Sequence, residues 1–434
     1  MNAQPVGAGA VDERPPLWRP AKGLWIERHR ATMAHLASVY PCHTDTSIGE
    51  RGPYIGVNVT GGGSGWYFDP FELYGTGVLT NPNVIVTGDI GSGKSALVKA
   101  FLGRELAVYG HRRMVTILDP KGEYTPFARA HGLPVIRLHP GGTDRLNPMD
   151  HRGNHTETVG RQALATALVA GVLGRALDAT EDALLGWSVA TLARTGRTFT
   201  LADVAATVAD PADELVALSR RTPLELAQAA TPVVFALDKL LTRTLAGMFD
   251  GPTTVHVDWT NGPGFVIDLS AVYGDDDALP LVMLAATSWL AAVLQRDSDR
   301  RVLQVIDEAW AAVRHGARHF QGSLKLSRTY GVSTWLICHR PADLTAQSDD
   351  GTAIAKISAG LLSDVQTRII LRQPPDQVGV AAEMFALSER ERSWIGQLLR
   401  GRALWRLQRR GAVVQTVLTT TEAELCDTDA AMGT

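Results

Sequence analysis

Eight consecutive residues, Gly88-Asp89-Ile90-Gly91-Ser92-Gly93-Lys94-Ser95, fit the pattern G-x-x-x-x-G-K-[ST] in full. Each residue type has a task in holding a polyphosphate. Glycines at 88, 91 and 93 let the backbone wrap closely enough for its N–H groups to face phosphate oxygens, and a helix that starts there adds a favourable dipole. Lys94 would reach the β- and γ-phosphates of ATP, and Ser95 would ligate Mg²⁺ through its hydroxyl. Asp89, Ile90, Ser92 and Ala96 complete the backbone that would surround the phosphates. A chance glycine-rich turn is the alternative. It fits less well because an apolar run, Val84-Ile85-Val86, precedes the motif and an apolar helical stretch, Ser95 to Val108, follows it.

Val302-Leu303-Gln304-Val305-Ile306 leads directly into Asp307-Glu308, an apolar strand ending in two acids. Beside a phosphate loop this has the form of a Walker B element: Asp307 holds the magnesium shell, and Glu308 polarises an attacking water as general base. That pairing favours hydrolysis over transfer to a hydroxyl acceptor; an ordinary strand end is the alternative. Leu118-Asp119-Pro120-Lys121-Gly122-Glu123-Tyr124 closes another apolar run with acids at 119 and 123. At the C-terminal edge of a parallel sheet such carboxylates face the nucleotide, Asp119 toward the metal and Glu123 toward the catalytic water, unless they only cap a polar turn.

The elements that must position these residues are readable as a pattern. A strand at Asn83 to Thr87, the helix after the phosphate loop and a strand at Met114 to Leu118 make one βαβ unit. Further β-rich runs at Phe265–Leu269, Val302–Ile306, Ser333–Ile337 and Thr367–Leu371 alternate with helical stretches, predicting an α/β fold with a doubly wound, mostly parallel sheet. Between them, Thr156 to Leu245 is rich in Ala and Leu at helical spacing and is broken at Thr-Gly, Asp-Pro and Thr-Pro pairs, predicting an inserted all-helical subdomain. The expected organisation is an arm over 1–36, a motor domain over 37–150 and 250–420, the helical insertion over 151–249 and a tail over 421–434.

Composition bounds the reading. The 434 residues are 45% hydrophobic and 20% charged, which excludes a fibrous or wholly disordered protein. With 42 Lys and Arg against 45 Asp and Glu the formal charge is -3, so no bulk basicity marks a nucleic-acid binder. The sum hides an asymmetry: residues 178–277 carry 15 acids and 6 bases, whereas 296–410 carry 18 bases and 12 acids. A polyanion-facing surface and a set of solvated arginines both fit that excess. Cys42, Cys338 and Cys426 lie far apart with no CxxC pair, which argues against structural zinc or a disulfide framework and for a reducing compartment. The first twenty residues are rich in Pro, Gly and Ala, unlike a targeting peptide, and suggest a disordered arm. The longest apolar run, Ala278 to Leu294, is shorter than the ~20 residues that span a bilayer and predicts a buried helix in a soluble, cytoplasmic protein. Trp310, Trp335 and Trp394 sit on apolar periodicities and are expected in the core.

Taken in order, Gly88 to Ser95, Asp119 to Tyr124, Asp307 to Trp310, Leu326-Ser327-Arg328-Thr329-Tyr330-Gly331 and Ile337-Cys338-His339-Arg340-Pro341-Ala342-Asp343-Leu344 resemble the TraC-like (VirB-type) conjugation ATPases of the HerA/FtsK superfamily. The likeness runs from about Ala37 to Leu407, with Phe68-Asp69-Pro70-Phe71 before the phosphate loop and Leu387-Ser388 to Gly401 near its end. It implies a RecA-like P-loop NTPase that hydrolyses ATP with Mg²⁺, usually as a homo-hexameric ring. Such a motor energises type IV secretion or conjugative transfer at the inner face of the membrane, through secretion-channel or coupling proteins and with DNA as a further partner. It also implies an arginine reaching in from a neighbouring subunit, with Arg328 first and Arg368 and Arg372 behind it. Cys338-His339 stands where the family usually has Thr-Gln or His-Gln, so the imidazole of His339 takes the place of the γ-phosphate-sensing amide. Against the large N-terminal domain of family members, the resemblance leads one to expect only a short remnant before the motor, with docking onto the channel expected to differ or to use a separate chain. A DNA-pumping translocase and a nucleotide-binding assembly scaffold with little turnover are the competing functions.

Overall fold

Strands β1 (Tyr54–Asn58), β2 (Ser64–Tyr67), β3 (Val84–Thr87), β4 (Arg113–Asp119), β5 (Val135–Arg137), β6 (Gly264–Asp268), β7 (Arg301–Ile306), β8 (Val332–Cys338), β9 (Thr367–Ile370), β10 (Arg402–Leu407) and β11 (Arg410–Thr416) join in one sheet. Its order is β2-β1-β11-β10-β9-β3-β8-β7-β4-β6-β5. The computed structural model describes residues 48–150, 155–294, 300–344, 360, 365–408 and 410–426; within these, the side chains at 155–157, 218, 316–320, 323, 325–328 and 344 lie outside the description. The arm expected over 1–36, Cys42 and the last eight residues of the expected tail also lie outside it.

Seven strands, β9-β3-β8-β7-β4-β6-β5, run parallel. They are covered on both faces, which is why their sequences read as continuous apolar runs rather than alternating ones. Period two still decides which face each side chain joins. Ile85, Val302 and Ile306 pack with the helices Ala278–Leu294 and Ala309–Tyr330. Val84, Val86, Leu303 and Val305 pack on the other side with Leu97, Val98, Phe101 and Leu102 of the helix Lys94–Tyr109. Trp335 is fully buried there, stacked 4.3 Å from Phe101. The helix Ala278–Leu294 is buried almost all round, and among the described residues no helix is long and apolar enough to cross a membrane.

Five helices, His155–Leu173, Ala179–Arg194, Leu201–Ala209, Asp213–Ser219 and Pro223–Lys239, follow β5 and precede β6. The breaker pairs mark their ends. Thr195 and Asp210 are C-caps, and Thr222 is an N-cap with Pro223 at the first helical position. Three of these helices open on reciprocal capping boxes, Asp178 with Glu181, Thr200 with Asp203 and Thr222 with Glu225.

The sheet departs from the sequence expectation on one side. Beyond β9 it continues as an antiparallel extension of four strands, β10, β11, β1 and β2. The β10–β11 hairpin carries Gln408 at φ 53° instead of the Asn-Gly or Asp-Gly that would announce it, and β2 follows a glycine-rich stretch with little apolar alternation. A buried triad ties the segment after β2 to the parallel half: Arg113 at the start of β4 pairs with Asp69 (2.5 Å) and with Glu105 (3.0 Å) of the helix Lys94–Tyr109.

Candidate active site

All the chemistry gathers at the C-terminal ends of the parallel strands. Thr87 is level with Cys338, Leu336 with Ile306, and Ile306 with Leu118. The segments that follow β3, β8, β7 and β4 therefore emerge side by side, where ligands bind to open α/β sheets. Because β8 lies between β3 and β7, its first outgoing residue, His339, stands between the phosphate loop and Asp307-Glu308.

The loop Gly88–Gly93 has the geometry that its glycines predict. A Cβ on Gly88 would sit 2.6 Å from the Cβ of Leu371, and Gly93, the N-cap of the helix Lys94–Tyr109, has φ 105°. The loop is tied down from outside: the Asp89 N–H donates to the Arg372 carbonyl (2.8 Å), and the Gly401 N–H to the Ser92 carbonyl (3.0 Å). Inside it, the Ser92 hydroxyl donates to the Asp89 carbonyl (2.6 Å). The first N–H groups of a helix have no intrahelical partner, so this N-terminus presents donors to an anion. Lys94 is nearly buried, and its ammonium donates to the carbonyls of Gly88 (2.6 Å) and Asp89 (3.0 Å) and to Nδ1 of His339 (3.1 Å). Burial pulls its pKa below the ordinary lysine value, while nearby acids oppose that shift.

Lys94 faces Nδ1 of His339 and Lys121 Nζ lies 2.8 Å from its Nε2, so the ring's tautomer follows from which ammonium it accepts. If Nδ1 accepts from Lys94, then Nε2 carries the proton and donates to Oε1 of Glu308, 2.9 Å away. The same carboxylate oxygen takes the ammonium of Lys121 at 2.5 Å, and Oε2 accepts the indole N–H of Trp310 at 2.6 Å. Glu308 is thus a buried carboxylate with three donors, held on a backbone with φ 51° that non-glycine residues rarely adopt. Burial alone would raise its pKa, but the bonds from His339 and Lys121 win and bring it down to about 2. Asp307 goes the other way. Its burial and the adjacent Glu308 charge push it up to about 7.

Asp119 is fully buried and accepts the N–H groups of Glu123 (3.2 Å) and Tyr124 (2.9 Å), so its carboxylate shapes the turn that carries Lys121. Burial raises it to about 6. The Glu123 carboxylate lies 3.5 Å from the Ser95 hydroxyl, at the outer limit of a hydrogen bond. Lys99, one and a half turns beyond Lys94, is buried and donates to the Glu123 carbonyl (2.9 Å), which pins the same turn to the phosphate-loop helix. Ile90 projects from the loop, 77% exposed, and offers its backbone rather than its side chain.

Among the arginines, the side chain of Arg328 lies outside the described residues. Arg368 donates to the Phe385 carbonyl (3.1 Å) within its own chain. Arg372 is exposed at the rim of the phosphate loop, 3.9 Å from Asp89, a distance worth little in water. Several arginines of the basic segment are engaged internally, Arg300 with three carbonyls and Arg406 with Glu391 (2.6 Å), which accounts for part of its charge excess.

Lys121 and Trp310 are the partners of Glu308 that sequence reasoning missed. Trp310 was expected in the core; it does pack against it, but it also holds Glu308. Its place two residues after Glu308 was the available signal, as was the position of Lys121 between Asp119 and Glu123.

The raised Asp307 has a thermodynamic consequence. It holds its proton more tightly folded than unfolded, so stability falls as pH rises from its ordinary range until it ionises near pH 7. Asp119 contributes a similar slope that ends near pH 6, and Glu308, with its lowered value, contributes none in that window. Asp307→Asn is therefore expected to flatten the fall in melting temperature between about pH 6 and 7. Parallel melting curves for wild type and variant across that interval would refute the assignment.

No family description matches the sequence, and no curated protein is significantly similar to it. Solved structures are. VirB4 of Thermoanaerobacter pseudethanolicus superposes with a TM-score of 0.71 at 19% identity, over 87% of this chain and 100% of that one. The chain has the fold of VirB4. The bacterial conjugative coupling protein TrwB is also similar, with a TM-score of 0.59 at 16% identity over 86% of this chain and 89% of that one. TrwB in complex with ADP and Mg²⁺ matches with a TM-score of 0.59 at 17% identity, over 86% and 91%. At these identities the likeness establishes a P-loop α/β architecture, and the chemistry of this VirB4 fold rests on the side chains already described.

Proposed function

We propose that the chain is a Mg²⁺-dependent ATPase that works as a ring-shaped motor of conjugative DNA transfer or type IV secretion. One observation carries this reading: the phosphate-loop Lys94 and the Asp307-Glu308 pair, 213 residues apart in sequence, are joined through His339. Lys94 and the N-terminus of its helix would hold the phosphates. Mg²⁺, held by the Ser95 hydroxyl and Asp307, would neutralise charge on the β- and γ-phosphates. Among the described residues no group of three or more His, Cys, Asp or Glu forms a metal cage, and Mg²⁺ bound through one carboxylate, a hydroxyl and phosphates needs none. Glu308 would orient the water that attacks the γ-phosphorus and accept its proton as the bond to ADP breaks. Glu123 beside Ser95 would serve the same water, and Asp119 would shape the turn instead of joining the metal shell.

TrwB, a coupling protein of the same fold, has been solved with ADP and Mg²⁺ and with analogues of both ATP and GTP. This supports nucleotide as the ligand, with the phosphates more decisive than the base. We place the motor as a homo-hexamer at the cytoplasmic face of the membrane, with channel or coupling proteins as partners. Phosphate release from ATP by the purified chain, measured with and without Mg²⁺ and DNA, tests the reading. Mg²⁺-dependent release is expected. Stimulation by DNA that fades steeply with salt would favour a DNA-pumping motor, since phosphate contacts are lost with counterion competition. No release under any condition, with assembly on ATP alone, would establish a scaffold instead.

A further inference from the structure

Glu308 is the proposed base, yet its Oε1 is occupied by two donors that a water-activating carboxylate would have to shed or share. One is Lys121, 2.5 Å away; the other is His339, 2.9 Å away. These donors are linked to the phosphate loop. Lys121 and Lys94 flank the same imidazole, Lys121 Nζ at 2.8 Å from Nε2 and Lys94 Nζ at 3.1 Å from Nδ1. Lys94 is the phosphate-reaching lysine, so Lys121 hangs within one flexible side chain's reach of the γ-phosphate position. Its stem keeps an open side: the side chain is 20% exposed, and the ring of Tyr273 lies 5.7 Å from the ammonium. The turn at its base, in contrast, is rigid, capped by Asp119 and pinned by Lys99.

We propose that Lys121 is a γ-phosphate ligand that otherwise docks on Glu308, so that the terminal phosphate of a nucleoside triphosphate draws Lys121 away and releases the base. A nucleoside diphosphate reaches neither Lys121 nor this release. Lys121 is in this sense a positioning residue: it acts on water only through Glu308. The inference rests on the nucleotide-binding reading above and sharpens it.

The test is nucleotide binding, not turnover. Wild-type protein is titrated with Mg²⁺-ADP and with a non-hydrolysable Mg²⁺-ATP analogue, alongside Lys121→Met. Loss of a charge-assisted phosphate contact is expected to weaken the triphosphate about 10- to 100-fold and to leave ADP within about twofold. Preserved ADP binding also shows that the variant folds. A second readout needs no change at Lys121. The Trp310 indole is bonded to Glu308, so its emission, taken as wild type minus Trp310→Phe, should change with the triphosphate analogue and not with ADP. Equal weakening of both nucleotides, or none, with a Trp310 signal that ignores the γ-phosphate, would overturn the proposal and leave Lys121 a fixed partner of Glu308. Failure of wild type to bind either nucleotide would overturn the site reading itself.

Discussion

Lys94→Ala is expected to abolish nucleotide binding and phosphate release while leaving the fold intact. The ammonium is the cation at the mouth of the phosphate-loop helix, and each charge-assisted bond it would make to a phosphate oxygen is worth about 1.5–3 kcal/mol. Two such bonds amount to roughly a 100- to 10,000-fold loss of affinity. The cost to folding is of a different order. Burial already lowers the pKa of Lys94, so the folded protein gains little from keeping this cation, and the helix behind it is anchored by Leu97, Val98, Phe101 and Leu102. Melting temperature within a few degrees of wild type, together with no measurable binding by calorimetry, is the expected pair of results. Retained binding would mean that the loop backbone alone holds the ligand, and a collapsed melting curve would mean that Lys94 is chiefly structural through the Gly88 and Asp89 carbonyls.

The parts of this site that were legible in the sequence are those in which the chain itself must change conformation. Gly88 and Gly93 exist because a side chain would collide at one and the backbone turns to positive φ at the other, and both constraints leave a local mark. The same holds for β7, where burial on both faces forces an apolar run that stops at Asp307. Helix breaks between 155 and 239 were legible for a similar reason, since Thr222-Pro223 and Asp210-Pro211 act on their own backbone. Residues whose role is set by a distant neighbour left no such mark. Lys121 reads as a solvated lysine in a turn; only the placement of β7 beside β4 brings it onto Glu308. Trp310 reads as one more apolar position on a helix, and its indole bond to Glu308 depends on the unusual φ of Glu308 itself.

The antiparallel extension was hidden for a third reason. β10 and β11 mix arginines with apolar residues because they meet Glu391 and Gln415, as Arg406 and Arg402 do, so polar partners inside the fold blur the alternation that marks a strand. Yet this extension reaches the site: Gly401, which leads into β10, holds the Ser92 carbonyl and so braces the phosphate loop from the side opposite β8. The imidazole of His339, where the resembling family has an amide, is placed by the same topology. An amide at the end of β8, with one acceptor oxygen and one donor nitrogen, could bridge Lys94 and Glu308 in the same way, so the imidazole of His339 keeps the acceptor-and-donor pattern that the position needs.

Glu308→Gln separates binding from chemistry and carries the second large effect. Gln has the same length, so the strained turn and its packing against the helix Ala309–Tyr330 should persist. It has no negative charge for Lys121, however, and its one carbonyl oxygen cannot serve both the Trp310 indole and the Lys121–His339 pair that the two carboxylate oxygens accept. General-base catalysis contributes about 100- to 10,000-fold, so phosphate release in single-turnover measurements should fall by at least that lower figure. Triphosphate affinity should hold or rise, since a Lys121 no longer drawn to Glu308 is freer to meet the γ-phosphate. Tight triphosphate binding with almost no turnover is thus the expected signature. Turnover close to wild type would transfer the base to Glu123, the other carboxylate beside Ser95, and Glu123→Gln would then have to show the loss that Glu308→Gln did not.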